Sequence, residues 1–288
     1  MTRIAFLGLG TMGYQLAGHL RQHHPVTVLN RTRRKAEDWC TNFAGTLADT
    51  PAQAAATASH VFVCVGNDED VRAVLLVEQG ALAAMQAGSY LIDHSTTSPS
   101  LARELDERCK ARGIHFMDAP VSGGVEGARN GNLTVMCGAA PDTFTDLQPL
   151  LACYASNTTL IGPAGAGQAA KMINQICVVG ILQSLAEGLH LAHALDLDVE
   201  QVINAISQGA AGSWQMQKRW RSMLEGNFDA RFSVKWMAKD LAICLSEAQR
   251  HHTNLPVTRM IDGFYRELMA NGEGEQDITS LMKRLTDT

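Results

Sequence analysis

A glycine spacing near the N-terminus constrains the fold of this chain more than any other feature. The run Gly8-Leu9-Gly10-Thr11-Met12-Gly13 has the form G-x-G-x-x-G, and it joins an apolar segment to a helical pattern. In such a turn the first glycine permits a tight bend, the second lets a ligand approach the backbone, and the third lets helix and strand pack closely. The spacing therefore predicts a strand, a glycine turn and a helix whose N-terminus can face a phosphate group.

The first half of the sequence alternates short β-rich segments with helical patterns. We predict strands at residues 3–8, 26–30, 61–65, 90–93, 115–118, 133–137 and 158–161. Helical patterns between them cover residues 12–23, 33–40, 69–76, 101–112 and 142–151. Nearly all-apolar strands that alternate with helices are typical of a parallel sheet covered on both faces. The pattern predicts a doubly wound α/β domain.

The strand pattern stops after Gly167. Residues 168–195 form one long apolar helical pattern, and further helices are predicted at residues 199–208, 214–225, 234–249 and 256–270. A length of 288 residues suits two domains. We therefore predict an α/β domain at residues 1–163 and an all-helical domain at residues 164–288. The long helix is too apolar to stand in solvent, so we expect a homodimer or homotetramer.

Composition excludes several classes of function. The chain has 24 Lys and Arg against 29 Asp and Glu, and its net charge of −5 offers no basic footprint for nucleic acid. The longest strongly apolar run, residues 176–182, is far shorter than the ~20 residues of a membrane span. We expect residues 1–8 to form a strand rather than a signal sequence. No membrane partner is predicted.

The cysteines and histidines indicate no metal or disulfide. Seven cysteines are scattered without a C-x-x-C pair, which is not the pattern of a disulfide framework or a zinc site. His190 and His193 lie three residues apart, but no third ligand is identifiable. Scattered thiols suit a reducing compartment, so we predict a cytoplasmic protein without a metal.

The glycine turn and the following strand together indicate a cofactor. In its strand–helix context G-x-G-x-x-G predicts dinucleotide binding, and an ordinary glycine-rich turn is the alternative. The second strand ends in Asn30-Arg31-Thr32, where NAD enzymes usually carry an acidic residue that binds the ribose. Asn30 and Thr32 can donate hydrogen bonds, and the Arg31 guanidinium can pair with a 2′-phosphate. We predict NADP, with NAD as the alternative.

Three further segments carry a resemblance. They are Asp93-His94-Ser95-Thr96-Thr97-Ser98-Pro99, the run from Asp118-Ala119-Pro120 to Gly124, and the glycine-rich residues 162–167 that precede Lys171-Met172-Ile173-Asn174-Gln175. With the N-terminal glycines, they resemble the β-hydroxyacid dehydrogenase family over essentially the whole chain. That family includes 3-hydroxyisobutyrate dehydrogenase and 2-hydroxy-3-oxopropionate (tartronate semialdehyde) reductase. The resemblance implies a Rossmann domain, a helical domain like that of 6-phosphogluconate dehydrogenase, and NAD(P)-dependent interconversion of a short β-hydroxy acid and its semialdehyde.

Lys171 is the candidate catalytic residue. Hydride transfer to a carbonyl carbon builds negative charge on the oxygen, and a lysine within reach can donate a proton to it. In the reverse direction a neutral lysine accepts the hydroxyl proton, so we expect its pKa to be lowered. Asn174 and Gln175 follow at i+3 and i+4 and can share its helix face, with Asn174 orienting the substrate and Gln175 binding it. From spacing alone, a surface lysine is the alternative.

The resemblance implies further site residues. Ser122, Gly123 and Gly124 match the family's substrate-binding loop, where a hydroxyl and unhindered backbone N–H groups suit a carboxylate. Lys239 matches a lysine near cofactor and substrate, with Asp240 as its structural anchor, and Thr96 matches a cofactor contact. For Ser122 to Gly124 the alternative interpretation is a plain turn. For Lys239 and Asp240 it is a solvated charge pair.

Two short matches favour one branch of the family. Asn174-Gln175, in place of two asparagines, and the run Gly209-Ala210-Ala211-Gly212-Ser213 resemble the tartronate semialdehyde reductase branch. Two other functions stay open. One is a non-catalytic dinucleotide-binding scaffold, against which the presence of Lys171 counts. The other is a dehydrogenase of a larger hydroxy acid such as 6-phosphogluconate, for which no second basic cluster is evident.

Overall fold

The computed structural model describes residues 2–286. The chain divides into an α/β unit, Met1–Lys171, and a helical unit, Met172–Thr288. The domain boundary at 163/164 stays a prediction. In the structure the first turn of the long helix lies in the α/β unit and is hydrogen-bonded to the sheet through Asp118.

The α/β unit is built on a nine-stranded sheet with the order β3-β2-β1-β4-β5-β6-β8-β7, and β9 pairs with β8. The strands are β1 Ile4–Leu7, β2 Val26–Leu29, β3 Thr46–Leu47, β4 His60–Val63, β5 Tyr90–Asp93, β6 His115–Asp118, β7 Val121–Ser122, β8 Leu133–Ala139 and β9 Ala155–Gly162. From β3 to β6 all pairings are parallel, and β8 is antiparallel to β6 and β7. The order 3-2-1-4-5-6 is that of a Rossmann sheet, so the predicted doubly wound fold is confirmed.

Eight helices accompany these strands within the described part of the α/β unit, and the long helix α9 begins at its end. They are α1 Thr11–Arg21, α2 Arg33–Phe43, α3 Pro51–Ala55, α4 Asp68–Leu75, α5 Ala81–Ala84, α6 Pro99–Lys110, α7 Gly124–Arg129 and α8 Pro141–Leu151. The sequence did not predict β3, β7, α3, α5 and α7. Each spans at most six residues, which is too short for a periodic pattern.

The sheet is buried on both faces. Ile4 and Phe6 of β1 belong to one apolar cluster, and the alternating Ala5 and Leu7 belong to the other. Phe6 stacks on Phe62 of β4 with ring centroids 5.9 Å apart. Because successive side chains of a strand point to opposite faces, helices on both sides are needed to bury this pattern.

In the described part of the helical unit, the remainder of α9 is followed by five further helices and a 3-10 turn. They are α9 Ala166–Ala194, α10 Val199–Ile206, α11 Trp214–Leu224, α12 Val234–Arg250, α13 Pro256–Ala270, the 3-10 helix Ile278–Met282 and α14 Lys283–Thr286. The predicted all-helical character of this half is confirmed. One apolar cluster packs α9, α12 and α13 together, and another packs α9 against α10 and α11.

Helix α9 is long and apolar enough to cross a membrane by length and composition alone. Its residues Val179, Leu182 and Ala186 are completely buried within the helical unit. The core helix of a globular unit meets the same criteria of length and composition. The burial of these three side chains is typical of such a core helix.

Candidate active site

The three glycines of the G-x-G-x-x-G run do not all serve the same purpose in the structure. Gly8 has φ +102°, and a Cβ there would lie 2.3 Å from the carbonyl oxygen of Cys64. A Cβ on Gly13 would lie 2.1 Å from the carbonyl oxygen of Gly8. A Cβ on Gly10 would meet no atom within 4 Å. Gly8 and Gly13 are therefore required by the protein's own packing, whereas the space at Gly10 is open to a ligand.

The N-terminus of α1 fits a phosphate group. Gly10 caps the helix without a side-chain hydrogen bond, and the first turn has no acidic residue. The first N–H groups of a helix carry a positive partial charge and bind anions when no side chain occupies them. Leu9 is buried and Met12 packs against the core, so these two offer mainly backbone groups, while Thr11 is exposed. A dinucleotide pyrophosphate fits this turn.

The end of β2 has contacts that the sequence did not indicate. Asn30 is committed to the fold, because its Oδ1 accepts from the Leu9 N–H at 2.8 Å and its Nδ2 donates to the Thr32 carbonyl at 3.0 Å. Arg31 is 89% exposed, and its Nη1 lies 3.2 Å from Oδ1 of Asp70 on α4. The sequence predicted no carboxylate here, yet the fold brings one beside Arg31. Thr32 caps α2 without using its side chain.

Two buried carboxylates lie at the ends of β5 and β6. Burial raises the pKa of Asp93 to about 7, although hydrogen bonds from Ser95 oppose the rise. Burial also raises the pKa of Asp118 to about 6, against the effect of backbone N–H donors. The Asp118 carboxylate accepts from the N–H groups of Gly165 at 2.7 Å and Gln168 at 2.8 Å. This carboxylate therefore anchors the start of α9 to β6.

The loop after β5 is fixed from the same helix. Gln168 is buried, its Oε1 accepts from the Thr97 N–H at 3.0 Å, and its Nε2 donates to the Ser95 carbonyl at 2.7 Å. Half-buried Thr96 lies between these two residues. Lys171 follows Gln168 by one helical turn and is only 9% exposed. The loop that carries the predicted cofactor contact is therefore hydrogen-bonded to the helical turn that leads to the predicted proton donor.

A buried histidine completes this edge of the sheet. Nδ1 of His94 lies 2.6 Å from the Ala119 carbonyl, and Nε2 lies 2.8 Å from the Tyr154 hydroxyl. A carbonyl only accepts, so Nδ1 carries the proton and Nε2 accepts from the hydroxyl. Burial lowers the pKa of His94 to about 4, so this ring is neutral at pH 7 and supports the loop rather than exchanging protons.

The predicted substrate loop lies between β7 and α7. Ser122 ends β7 and is half-buried, and Gly123 and Gly124 are exposed. Both glycines have positive φ, +127° and +63°, which side chains rarely adopt. These two positions therefore favour glycine, and neither glycine places a side chain of its own over the loop backbone.

The helical unit holds its own polar cluster, which contains the other predicted residues. Gln175 accepts from Asn174 at 2.8 Å and donates to the Asp240 carboxylate at 2.6 Å. The Lys239 ammonium lies 3.0 Å from the other oxygen of Asp240, which is 2% exposed. Asp240 thus holds Lys239, as the resemblance implies, and it also fixes Gln175, which the sequence did not indicate.

Five residues that the structure places at the site were not predicted as site residues: Asp70, Asp93, His94, Asp118 and Gln168. Asp93 and Asp118 each end an apolar strand, which is the signal that could have found them. Gln168 is the first polar residue after the glycine-rich turn. Among residues 2–286, no group of three His, Cys, Asp or Glu side chains could hold a metal ion.

Comparison with known proteins agrees with this geometry. Residues 3–162 match the model for the NAD-binding domain of 6-phosphogluconate dehydrogenase, and residues 165–285 match that for the NAD-binding of NADP-dependent 3-hydroxyisobutyrate dehydrogenase. The chain belongs to the 3-hydroxyisobutyrate dehydrogenase family. The resemblance seen in the sequence is confirmed.

Relatives cover the whole chain. An uncharacterized oxidoreductase of Shewanella frigidimarina is 48% identical over 99% of this chain and 98% of its own. The mitochondrial 3-hydroxyisobutyrate dehydrogenase of Mus musculus is 31% identical over 99% and 88%. The solved structure of Mycobacterium tuberculosis 3-hydroxyisobutyrate dehydrogenase with L-serine is 28% identical, covers 99% of both chains and gives a TM-score of 0.89. Psf3, solved with NADP+ and 2-OPP, is 25% identical, covers 98% and 99%, and gives 0.89.

Membership in this family makes the protein an NAD(P)-binding oxidoreductase. Its members are dehydrogenases that act on a CH–OH group. The open Gly10 turn at the start of α1 has room for a phosphate group, and the loops after β5 and β6 lie at the carboxyl edge of the same sheet.

Proposed function

We propose that the protein is an NADP-dependent dehydrogenase that interconverts a short β-hydroxy acid and its semialdehyde. The observation that carries the proposal is Lys171, a buried lysine on a helix whose first turn is hydrogen-bonded to the loop after β5 and to the end of β6. A lysine held in this way has a fixed position and little water around it, as an acid–base group requires.

In the proposed reaction Lys171 exchanges one proton. During oxidation the neutral amine accepts the hydroxyl proton while the C–H hydrogen leaves with its electron pair, and a carbonyl forms. During reduction the ammonium returns the proton to the carbonyl oxygen. When bound, the nicotinamide accepts or supplies the hydride. The Ser122 hydroxyl and the N–H groups of Gly123 and Gly124 bind the substrate carboxylate.

The preference for NADP rests on Arg31. Its exposed side chain can turn from Asp70 to a 2′-phosphate, and an exposed ion pair of this kind holds it by only ~0–1 kcal/mol. The name of the family model for residues 165–285 and the NADP+ bound to Psf3 support the same cofactor.

The proposed substrate class rests on the names of related proteins and on one short sequence match. Characterised relatives are named for 3-hydroxyisobutyrate, whereas Asn174-Gln175 resembles the tartronate semialdehyde branch. The direct test is a panel of 3-hydroxyisobutyrate and glycerate with NADP+, and tartronate semialdehyde with NADPH. Activity on at least one of these is expected. Activity on none, with cofactor bound, contradicts the proposal.

The role of Lys171 is tested by single-turnover hydride transfer, followed by nicotinamide absorbance. Lys171→Ala should slow this step by about 10²–10⁴-fold, and Lys171→Arg should restore little because a guanidinium stays protonated. The exposed Lys218 on α11 supplies the control, Lys218→Ala. If Lys171→Ala stays within about threefold of the natural enzyme, the lysine does not exchange the proton and the scaffold interpretation regains support.

We also propose a homodimer or homotetramer, and a cytoplasmic location. Ile181 and Leu191 lie on an exposed face of α9, and exposed Leu195 follows directly after its last residue. An apolar stripe of this kind favours association. Leu191→Glu should give a smaller species in light scattering. All seven cysteines are free thiols, which suits the reducing cytoplasm.

A further inference from the structure

One glutamine, Gln168, connects the loop that carries Thr96 with the helix that carries Lys171. The amide of Gln168 both accepts from the Thr97 N–H and donates to the Ser95 carbonyl, at 3.0 and 2.7 Å. These two backbone groups flank Thr96. A neutral amide can satisfy a donor and an acceptor together, which a carboxylate or an ammonium cannot do. The residue type therefore matches the loop that it holds.

The backbone of Gln168 is fixed just as firmly. Its N–H donates to Oδ2 of Asp118, and the Gly165 N–H donates to Oδ1. Close approach is possible because Gly138 and Gly167 have no side chain. A Cβ on Gly138 would lie 2.4 Å from Oδ1 of Asp118, and one on Gly167 would lie 2.8 Å from Oδ2. Substitution of either glycine would push the helix start away from the carboxylate.

Lys171 receives its position from this arrangement. It lies three residues after Gln168 on the same helix, so the two side chains share a face. A shift of the first turn of α9 moves the Lys171 amine and leaves the phosphate turn at Gly10 untouched. The Asp118 carboxylate sets where the helix begins, and the Gln168 side chain sets how far it lies from the loop that carries Thr96.

We propose that Gln168 is a positioning residue that sets the distance between Thr96 and Lys171. This inference rests on the proposed function, since it assigns Gln168 no chemistry of its own. A misplacement of a reacting group by about 1 Å costs on the order of 10²-fold in rate. Loss of Gln168 should therefore lower kcat much more than dinucleotide affinity, because the Gly10 turn and Arg31, which are proposed to hold the phosphates, are unchanged in the variant.

The first variant is Gln168→Met, which keeps length and volume and removes both hydrogen bonds. We expect kcat to fall by about 10–100-fold and the Kd for NADPH, measured by fluorescence, to change less than about threefold. Gln183→Met is the matched control, because Gln183 is another buried glutamine of α9 with a hydrogen bond only to Glu187 among the described residues. The control should retain kcat. Equal losses in both variants overturn the proposal.

A double-mutant cycle tests whether Gln168 acts through Lys171. In a Lys171→Ala background, Gln168→Met should slow hydride transfer by less than about threefold further, because the group it positions is gone. A full multiplicative loss overturns the proposal while the role of Lys171 stands. A Lys171→Ala enzyme as fast as the natural one would instead refute the proposed function, so the two failures are distinguishable.

Gln168→Glu keeps the experiment decisive if the methionine variant does not fold. It preserves the oxygen that accepts from the Thr97 N–H and replaces the donor that faces the Ser95 carbonyl. We expect kcat to fall by at least about tenfold, because the new carboxylate oxygen repels the Ser95 carbonyl, and the Kd for NADPH to change much less. An unchanged kcat in a folded Gln168→Glu enzyme overturns the proposal.

Discussion

The Asp70 carboxylate on α4 lies 3.2 Å from the guanidinium of Arg31, which follows strand β2. Arg31 is almost fully exposed, so it can leave Asp70 for another anion. The 2′-phosphate of NADP would then compete with Asp70 for the same cation. Under the proposed preference for NADP, Asp70 would therefore weaken the contribution of Arg31 without abolishing it.

Substitution of this pair should change the two cofactors differently. Arg31→Ala should raise the KM for NADPH by about tenfold, the lower end for a charge-assisted hydrogen bond, with little change for NADH. Asp70→Asn should lower the KM for NADPH by up to about fivefold, since an exposed ion pair contributes at most ~1 kcal/mol. Steady-state kinetics with both cofactors measure this. A natural enzyme that prefers NADH contradicts the prediction.

The Arg31–Asp70 pair also shows where sequence reasoning stops. The predicted cofactor contacts here come from the residues that follow β2. Asp70 lies on the helix after β4, 39 residues from Arg31 in the sequence. Strands β2 and β4 both flank β1, so the segments that follow them meet at one edge of the sheet. That strand order is a tertiary property, and no local pattern contains it.

The parts that the sequence predicted are those with long periodic patterns. Strands such as Ile4–Leu7 and helices such as Ala166–Ala194 bury a regular face, so their residues repeat with a recognisable period. Gln168 could not be assigned in this way, because its role depends on the Ser95 and Thr97 backbone groups about 70 positions earlier. Long-range hydrogen bonds between loops leave no periodic signal.

Gly10 and Gly13 should separate cofactor binding from stability. Gly13→Ala puts a methyl group against the Gly8 carbonyl, so it should lower the unfolding free energy by about 1–3 kcal/mol. Gly10→Ala meets no protein atom, and Gly10 has an ordinary φ of −68°, so stability should stay within about 0.5 kcal/mol. The Kd for NADPH should nevertheless rise at least about tenfold in Gly10→Ala.

Thermal unfolding and NADPH fluorescence titration check the glycine pair on the same samples. Gly13→Ala should be the less stable of the two variants, and Gly10→Ala should be the one that binds NADPH more weakly. A Gly10→Ala protein that binds NADPH normally would show that the phosphates do not lie over this turn.

The buried carboxylate of the helical unit should matter more than an exposed one. Asp240 receives a hydrogen bond from Gln175 and neutralises Lys239, so Asp240→Asn should cost about 1–3 kcal/mol of unfolding free energy. Glu200 pairs with Arg221 on the surface of the same unit, and Glu200→Gln should cost less than about 0.5 kcal/mol. Urea denaturation measures both, and equal costs contradict the assignment.

Asp93 should make stability depend on pH. Its folded pKa of about 7 exceeds the ordinary value of 3.8, so between these values the folded protein binds a proton that the unfolded chain has released. This group therefore lowers the unfolding free energy as pH rises from about 4 to about 7, with no further change above that range. The lowered pKa of His94, about 4 instead of 6.5, acts in the opposite direction between those two values.

Asp93→Asn isolates the contribution of the carboxylate, because His94 is present in both proteins. The amide keeps an oxygen that accepts from the Ser95 N–H, and any cost of the buried NH2 group is the same at every pH. We expect the unfolding free energy of the variant minus that of the natural protein to rise steadily between pH 5 and pH 7 and then to level off. Urea denaturation at four pH values across this range gives the difference. Parallel profiles would mean that Asp93 has the same pKa in the folded and unfolded states, and the buried carboxylate would then be charged at neutral pH.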